Sequence, residues 1–152
     1  MSWAGKNSFK DSLRGLFSKK EQASSFSVSK SPQILPQTVE RMDKMIQTWI
    51  RGKGYRMPDK TIEQAAVRIG TDSATLYRYF KSRGEDFRSF RSRLRLEDAM
   101  QQMLDEPATP ASTIGKRVGF NDRANFAHQF KAYTGFTPDQ WRREQQSRAD
   151  SK

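Results

Sequence analysis

Two short stretches carry side chains whose types and spacing suit recognition of a polyanion. In the first, Ala74, Tyr77, Arg78 and Lys81 stand opposite Leu76 and Phe80; in the second, Arg123, Ala124, Ala127, His128 and Lys131 stand opposite Phe126 and Phe130. At helical spacing the apolar pair faces inward and the polar set faces out. A guanidinium at Arg78 or Arg123 can bond bidentately to guanine O6 and N7. Tyr77 can touch a thymine methyl or a phosphate, His128 can hydrogen-bond a base or a phosphate, and Ala74 leaves only an apolar contact. Lys81 and Lys131 suit phosphates, and equally a helix end, where a cation complements the macrodipole. For Arg78 the competing reading is a solvated or salt-bridged arginine, for Tyr77 partial burial, and for His128 an idle surface imidazole.

Other chemistry has little support. No nucleophile–His–acid set, phosphate-cradling glycine loop or paired-carboxylate motif is visible, so an enzyme is not expected, nor a cofactor. With no cysteine and one histidine, His128, neither a disulfide framework nor an all-protein metal site is expected. No apolar run approaches the roughly 18 residues of a membrane span, and the N-terminus lacks the apolar core of a signal peptide. A cytoplasmic protein is the simplest reading. The net charge of +11 points to nucleic acid or an anionic membrane surface. It is spread over the chain: six basic against two acidic residues in 1–36, fourteen against eleven in 37–107, eight against four in 108–152. Any nucleic-acid site in the middle third must therefore come from local placement of charge.

The elements that must position these side chains are all helical, and no stretch shows convincing strand alternation. Residues 1–36 read as a disordered, basic, serine-rich tail, within which Phe9, Leu13, Leu16 and Phe17 sit at helical spacing among basic residues. A helix follows from about Gln37, with Val39, Met42, Ile46, Trp49 and Ile50 on one face and Gly52 and Gly54 at its end. Thr61 and Gln64 form a capping box for a helix burying Ile62, Ala65, Ala66 and Ile69. Asp72 caps the next, which carries Leu76, Tyr79 and Phe80. A longer helix, about 85–106, places Phe87, Phe90, Leu94, Ala99, Met103 and Leu104 inside. Thr109 and Pro110 open a short helix with Ile114 and Val118 inward, Asn121 caps another, Thr137 and Pro138 open the last around Trp141, and 149–152 form a tail. The fold class is all-α, about seven helices.

The two halves repeat. Gly70 and Gly119 are 49 residues apart, Leu76 and Phe126 are 50 apart, as are Phe80-Lys81 and Phe130-Lys131, and Gly84 and Gly135 are 51 apart. Each half is a short helix, a glycine turn and a capped helix with an outward basic face, the layout of a helix-turn-helix.

The second half, through Arg95-Leu96, Ala99, Ile114, Val118-Gly119-Phe120, Asp122, Phe126, Phe130-Lys131, Gly135, Pro138 and Arg142, resembles the AraC/XylS family of bacterial transcription regulators. The first half matches it through Ala66, Gly70, Leu76, Phe80-Lys81 and Gly84. The resemblance implies two helix-turn-helix subdomains, about 37–84 and 107–148, joined by the linker helix, so that one monomer enters two adjacent major grooves of double-stranded DNA. It places Ala74, Tyr77 and Arg78 where similar proteins touch bases, and gives Arg95 a backbone-phosphate or structural role. Lys116 and Arg117 add charge beside the second motif. Arg83, Arg88, Arg91 and Arg93 read as a solvated face. Gly115 stands where the family usually has Ala, a departure costing about 1 kcal/mol of helix propensity; Ala111 replaces a larger apolar residue, and Arg91 one that is often apolar. The sequence shows no small-molecule effector domain. The expected function is a sequence-specific DNA-binding transcription regulator, with RNA polymerase as a second partner. The alternatives are an interaction module of regulator ancestry that binds polymerase or another regulator, or the output domain of a larger regulator.

Overall fold

The computed structural model describes residues 34–150. The described chain is built of helices α1 (Pro36–Arg51), a 3-10 turn (Gly54–Arg56), α2 (Ile62–Ile69), α3 (Ser73–Ser82), α4 (Phe87–Asp105), α5 (Ala111–Arg117), α6 (Arg123–Thr134) and α7 (Pro138–Asp150). Among the described residues there is no strand, so the all-α expectation holds. The basic amphipathic stretch around Phe9–Phe17 lies outside the described residues. Order reaches into the segment expected as a tail: Ile34 packs against the core and Pro36 opens α1, where its missing N–H is no loss.

The helix starts follow local capping chemistry. Thr61 Oγ1 accepts from the Gln64 N–H, and Gln64 Oε1 accepts from the Lys60 N–H, one residue earlier than a strict capping box. Asp72 caps α3 and Asp86 caps α4. Two expected caps shift by one residue. Asp122, not Asn121, accepts from the Ala124 N–H, because α6 begins at Arg123 and leaves Asp122 extended at the cap position. Pro110 itself, with ψ 140°, takes the cap position of α5 in place of Thr109, whose hydroxyl donates to Glu106 instead.

The core divides into two clusters. Met42, Ile46, Trp49, Ile50, Tyr55, Ala65, Ala66, Ile69, Leu76, Tyr79 and Phe80 form the first, with Phe87, Phe90 and Leu94 from α4. Ala111, Ile114, Val118, Phe120, Phe126, Phe130 and Trp141 form the second, with Leu96, Ala99, Met100 and Met103 from the same helix. Each fully buried large apolar side chain contributes about 1.5–3 kcal/mol. The step from Leu94 to Leu96 turns the inward stripe by about 200°, so α4 offers nearly opposite faces to the two lobes. Leu104, expected inside, is half exposed: Met103 takes the inward place on the last turn, and the next residue is rotated about 100° away from it.

In the first lobe Asp43 of α1 is buried and accepts from the Tyr79 hydroxyl of α3 and from Arg83 Nη2, at 2.7 Å. Arg83 is therefore no solvated charge, and its guanidinium also lies 4.7 Å from the Tyr79 ring. Tyr133 of α6 donates to Glu97 of α4; each lobe thus ties its outward-facing helix to a supporting helix by a tyrosine–carboxylate bond. The guanidiniums of Arg91 and Arg93 are half-buried over Phe87 and Phe90, which leaves Arg88 as the exposed member of the expected basic face.

Gly115 has a structural reason. A Cβ there would lie 2.6 Å from the Phe126 ring, so the helix-propensity cost of glycine is exchanged for close packing of α5 on α6.

Candidate nucleic-acid interface

In α3, side chains 74, 77, 78 and 81 recur at i, i+3, i+4 and i+7 and form one outer stripe, because Leu76, Tyr79 and Phe80 fill the opposite side. Ala74 and Lys81 are exposed, Tyr77 is 54% exposed, and Arg78 is half-buried. Tyr77 thus presents more than half of its surface to solvent. Arg78 is held loosely, its Nη2 3.4 Å from Thr75 Oγ1. Thr75 in turn gives its N–H and its hydroxyl to the two oxygens of Asp72. These bonds, then the Arg78 charge, hold the Asp72 carboxyl below its ordinary range. Among the described residues no close ion pair engages the Arg78 fork, which leaves it open to an outside acceptor.

The corresponding stripe of α6 is Ala124, Ala127, His128 and Lys131, with Arg123 at the first helical position. Arg123, Ala124, His128 and Lys131 are exposed and Ala127 is half-buried. Arg123 Nη2 lies 3.4 Å from Ser112 Oγ of α5. The two residues line a shallow notch of about 250 Å³ with Thr113, Gly115, Lys116 and Asp122. Lys116, on the last turn of α5, is exposed beside that notch.

Two residues expected on phosphates are otherwise engaged. Arg95 is 8% exposed; its Nε donates to the Tyr55 carbonyl and its Nη2 to the Met57 carbonyl at 2.8 Å. Burial, then the neighbouring Arg91 charge, lowers its pKa to about 10, with Asp59 opposing, so it stays charged at neutral pH and serves the chain's own backbone. Arg117 is exposed but ion-paired to Glu106 at 2.8 Å and bonded to Gln102 at 2.7 Å. These bonds pin α5 to the end of α4.

A pair on α6 escaped the sequence reading. Asn125 is exposed, and Gln129 Nε2 donates to its Oδ1 at 3.0 Å. Their i, i+4 spacing was a usable signal. In the repeat they correspond to Thr75 and Tyr79, which are buried, so the first lobe gives no hint that the second leaves these places open.

Residues 65–144 match the family model described as a helix-turn-helix domain. The chain is 43% identical over 63 residues to a transcriptional regulatory protein, YesN, of Bacillus subtilis (strain 168), covering 41% of this chain and 17% of that protein. It is 32% identical over 81 residues to the ornithine utilization regulator of Pseudomonas aeruginosa, covering 53% of this chain and 24% of that one. The match thus spans less than a quarter of the length of either curated relative. No solved structure matches the chain. With more than half of its length in the family model and two lobes each built as helix, turn and outward-facing helix, the chain belongs to the AraC-type helix-turn-helix family of DNA-binding domains.

Proposed function

We propose that this chain is a sequence-specific DNA-binding module of a bacterial transcription regulator, acting in the cytoplasm, whose single monomer places α3 and α6 in two adjacent major grooves. The observation that carries the reading is the pair of matching outer stripes: each lobe turns its apolar residues inward and carries an arginine that, among the described residues, has no close ion pair, together with an exposed lysine. Arg78 and Arg123 are the principal base readers, with Tyr77 and His128 beside them and Ala74, Ala124 and Ala127 making apolar contacts. Lys81, Lys116 and Lys131 meet phosphates, which set register without carrying sequence. RNA polymerase is the second partner that regulation from such a site calls for.

Selection of binding sites from random DNA tests this directly. The expected site covers about two turns on one face of the duplex, since successive major grooves recur every ~34 Å. Arg78→Ala and Arg123→Ala should each relax preference at a separate place in that site, by about 1–3 kcal/mol per contacted base. Equal loss on every DNA sequence from both variants would show that these arginines do not read bases. Strong binding to a protein partner with no preference among DNA sequences would favour an interaction module instead.

A further inference from the structure

Where the two lobes meet, charged groups are buried together in a way that helix stability alone does not require. Asp98 of α4, 8% exposed, accepts from Arg56 Nε at 2.6 Å and Arg56 Nη2 at 2.9 Å, from the Tyr55 hydroxyl at 2.9 Å and from Gln102 at 2.9 Å. One turn earlier, Arg95 binds the carbonyls of Tyr55 and Met57. Two residues of α4 thus grip the 3-10 turn of the first lobe. On the other side of the same grip lies the turn of the second lobe. Gly119 has φ +116°, and a Cβ there would stand 2.7 Å from Arg95 Nε and 2.8 Å from the Arg56 carbonyl. Phe120 packs its ring 5.8 Å from the Arg95 guanidinium. The turn of one helix-turn-helix therefore rests directly on the backbone of the other lobe.

We propose that this cluster of Tyr55, Arg56, Arg95, Asp98 and Gly119 locks the two lobes in one relative orientation and makes the chain selective for a single spacing between its two half-sites. The inference rests on the two-groove reading above and goes beyond it. A single connecting helix fixes the lobes along one axis only. A second, off-axis contact between the lobes closes the frame. Arg56, Arg95 and Asp98 are positioning residues here: Arg95 and Asp98 are buried and Arg56 is partly so, and each acts through the orientation of α3 and α6.

Two measurements test the lock. The chain has no cysteine, so Val67→Cys on α2 and Ala132→Cys on α6, both exposed, give two clean spin-label sites, one in each lobe. The distance distribution between them in the free protein should be narrow, and broader in Asp98→Asn, with Arg56→Lys as a milder second variant. Affinity is then compared on the selected DNA site and on versions with one base pair inserted or removed between half-sites. One base pair turns the second groove by about a tenth of a turn, and the wild-type chain should lose about tenfold or more in affinity. In the variants that penalty should shrink to about two- to threefold, while each half-site keeps its base preferences. A purely structural role predicts a lower thermal midpoint and uniformly weaker binding, with the spacing penalty and the distance distribution unchanged; that result overturns the lock and leaves the two-groove reading standing. A wild-type chain indifferent to spacing overturns the lock alone, whereas a selected site with a single half-site overturns the two-groove reading as well.

Discussion

Side chains of one type take different roles here according to what lies beside them. Among the described residues no carboxylate forms a close ion pair with Arg78 or Arg123, whereas Arg83 is 5% exposed against Asp43 and Arg95 is bound to backbone carbonyls. The distinction predicts two classes of variant. Lys81→Ala, Lys116→Ala and Lys131→Ala should each weaken binding uniformly across DNA sequences and lower the slope of log affinity against log salt by about 1. Arg95→Met should leave that slope unchanged for the folded protein and lower its thermal midpoint, because the Tyr55 and Met57 carbonyls lose their donor. Salt titrations of binding and melting curves on the same four variants separate the classes. Composition shows how many arginines the chain has; only their neighbours show which are free to bind DNA.

At the level of the elements, the lobes depend on two packing details. Gly115→Ala raises intrinsic helix propensity by about 1 kcal/mol, yet its Cβ would press on the Phe126 ring at 2.6 Å. Overpacking of this kind costs about 1–3 kcal/mol, so the variant should melt at a lower temperature, with α6 displaced and binding through the second lobe weakened. In the first lobe, removing one partner of the buried pair, as in Asp43→Ala, leaves Arg83 without its carboxylate and should cost about 3–5 kcal/mol. Denaturant unfolding should show the larger loss in the single variant, and a smaller one when Arg83→Met is added. The sequence displayed the apolar spines Leu76–Phe80 and Phe126–Phe130 plainly. The reason for Gly115 was hidden, because it lies in a ring eleven residues away.

For the molecule as a whole, the joint between lobes has a pH signature. Burial pushes the Asp98 carboxyl up, but bonds from Arg56, Gln102 and Tyr55 together with the Arg56 charge hold it below the ordinary aspartate range. A carboxyl with a depressed folded pKa contributes stability that is present above its unfolded value, about 3.9, and is lost as pH falls through the folded value. Stability and spin-label distance should therefore stay level from neutral pH to about pH 5 and change below about pH 4. Asp72 contributes to the same acid limb, held down by its bonds from Thr75. The comparison that isolates Asp98 is wild type against Asp98→Asn, whose acid limb should be shallower.

From the sequence alone came the seven helices of the described residues, the tandem helix-turn-helix plan, the family resemblance and the outer stripes around Arg78 and Arg123. The helices, the plan and the stripes follow from local periodicity, capping residues and a repeat of about fifty residues, and the resemblance from the motif residues themselves; all of them are read along the chain. Tertiary structure decided the rest. It withdrew Arg95 from the phosphates, buried Arg83 on Asp43, exposed Asn125 with Gln129 bonded to it, and set Gly119 against the Arg56 carbonyl. Each of these turns on a partner from 4 to 63 positions away, and burial of a charge is decided by what folds over it rather than by the residues that flank it.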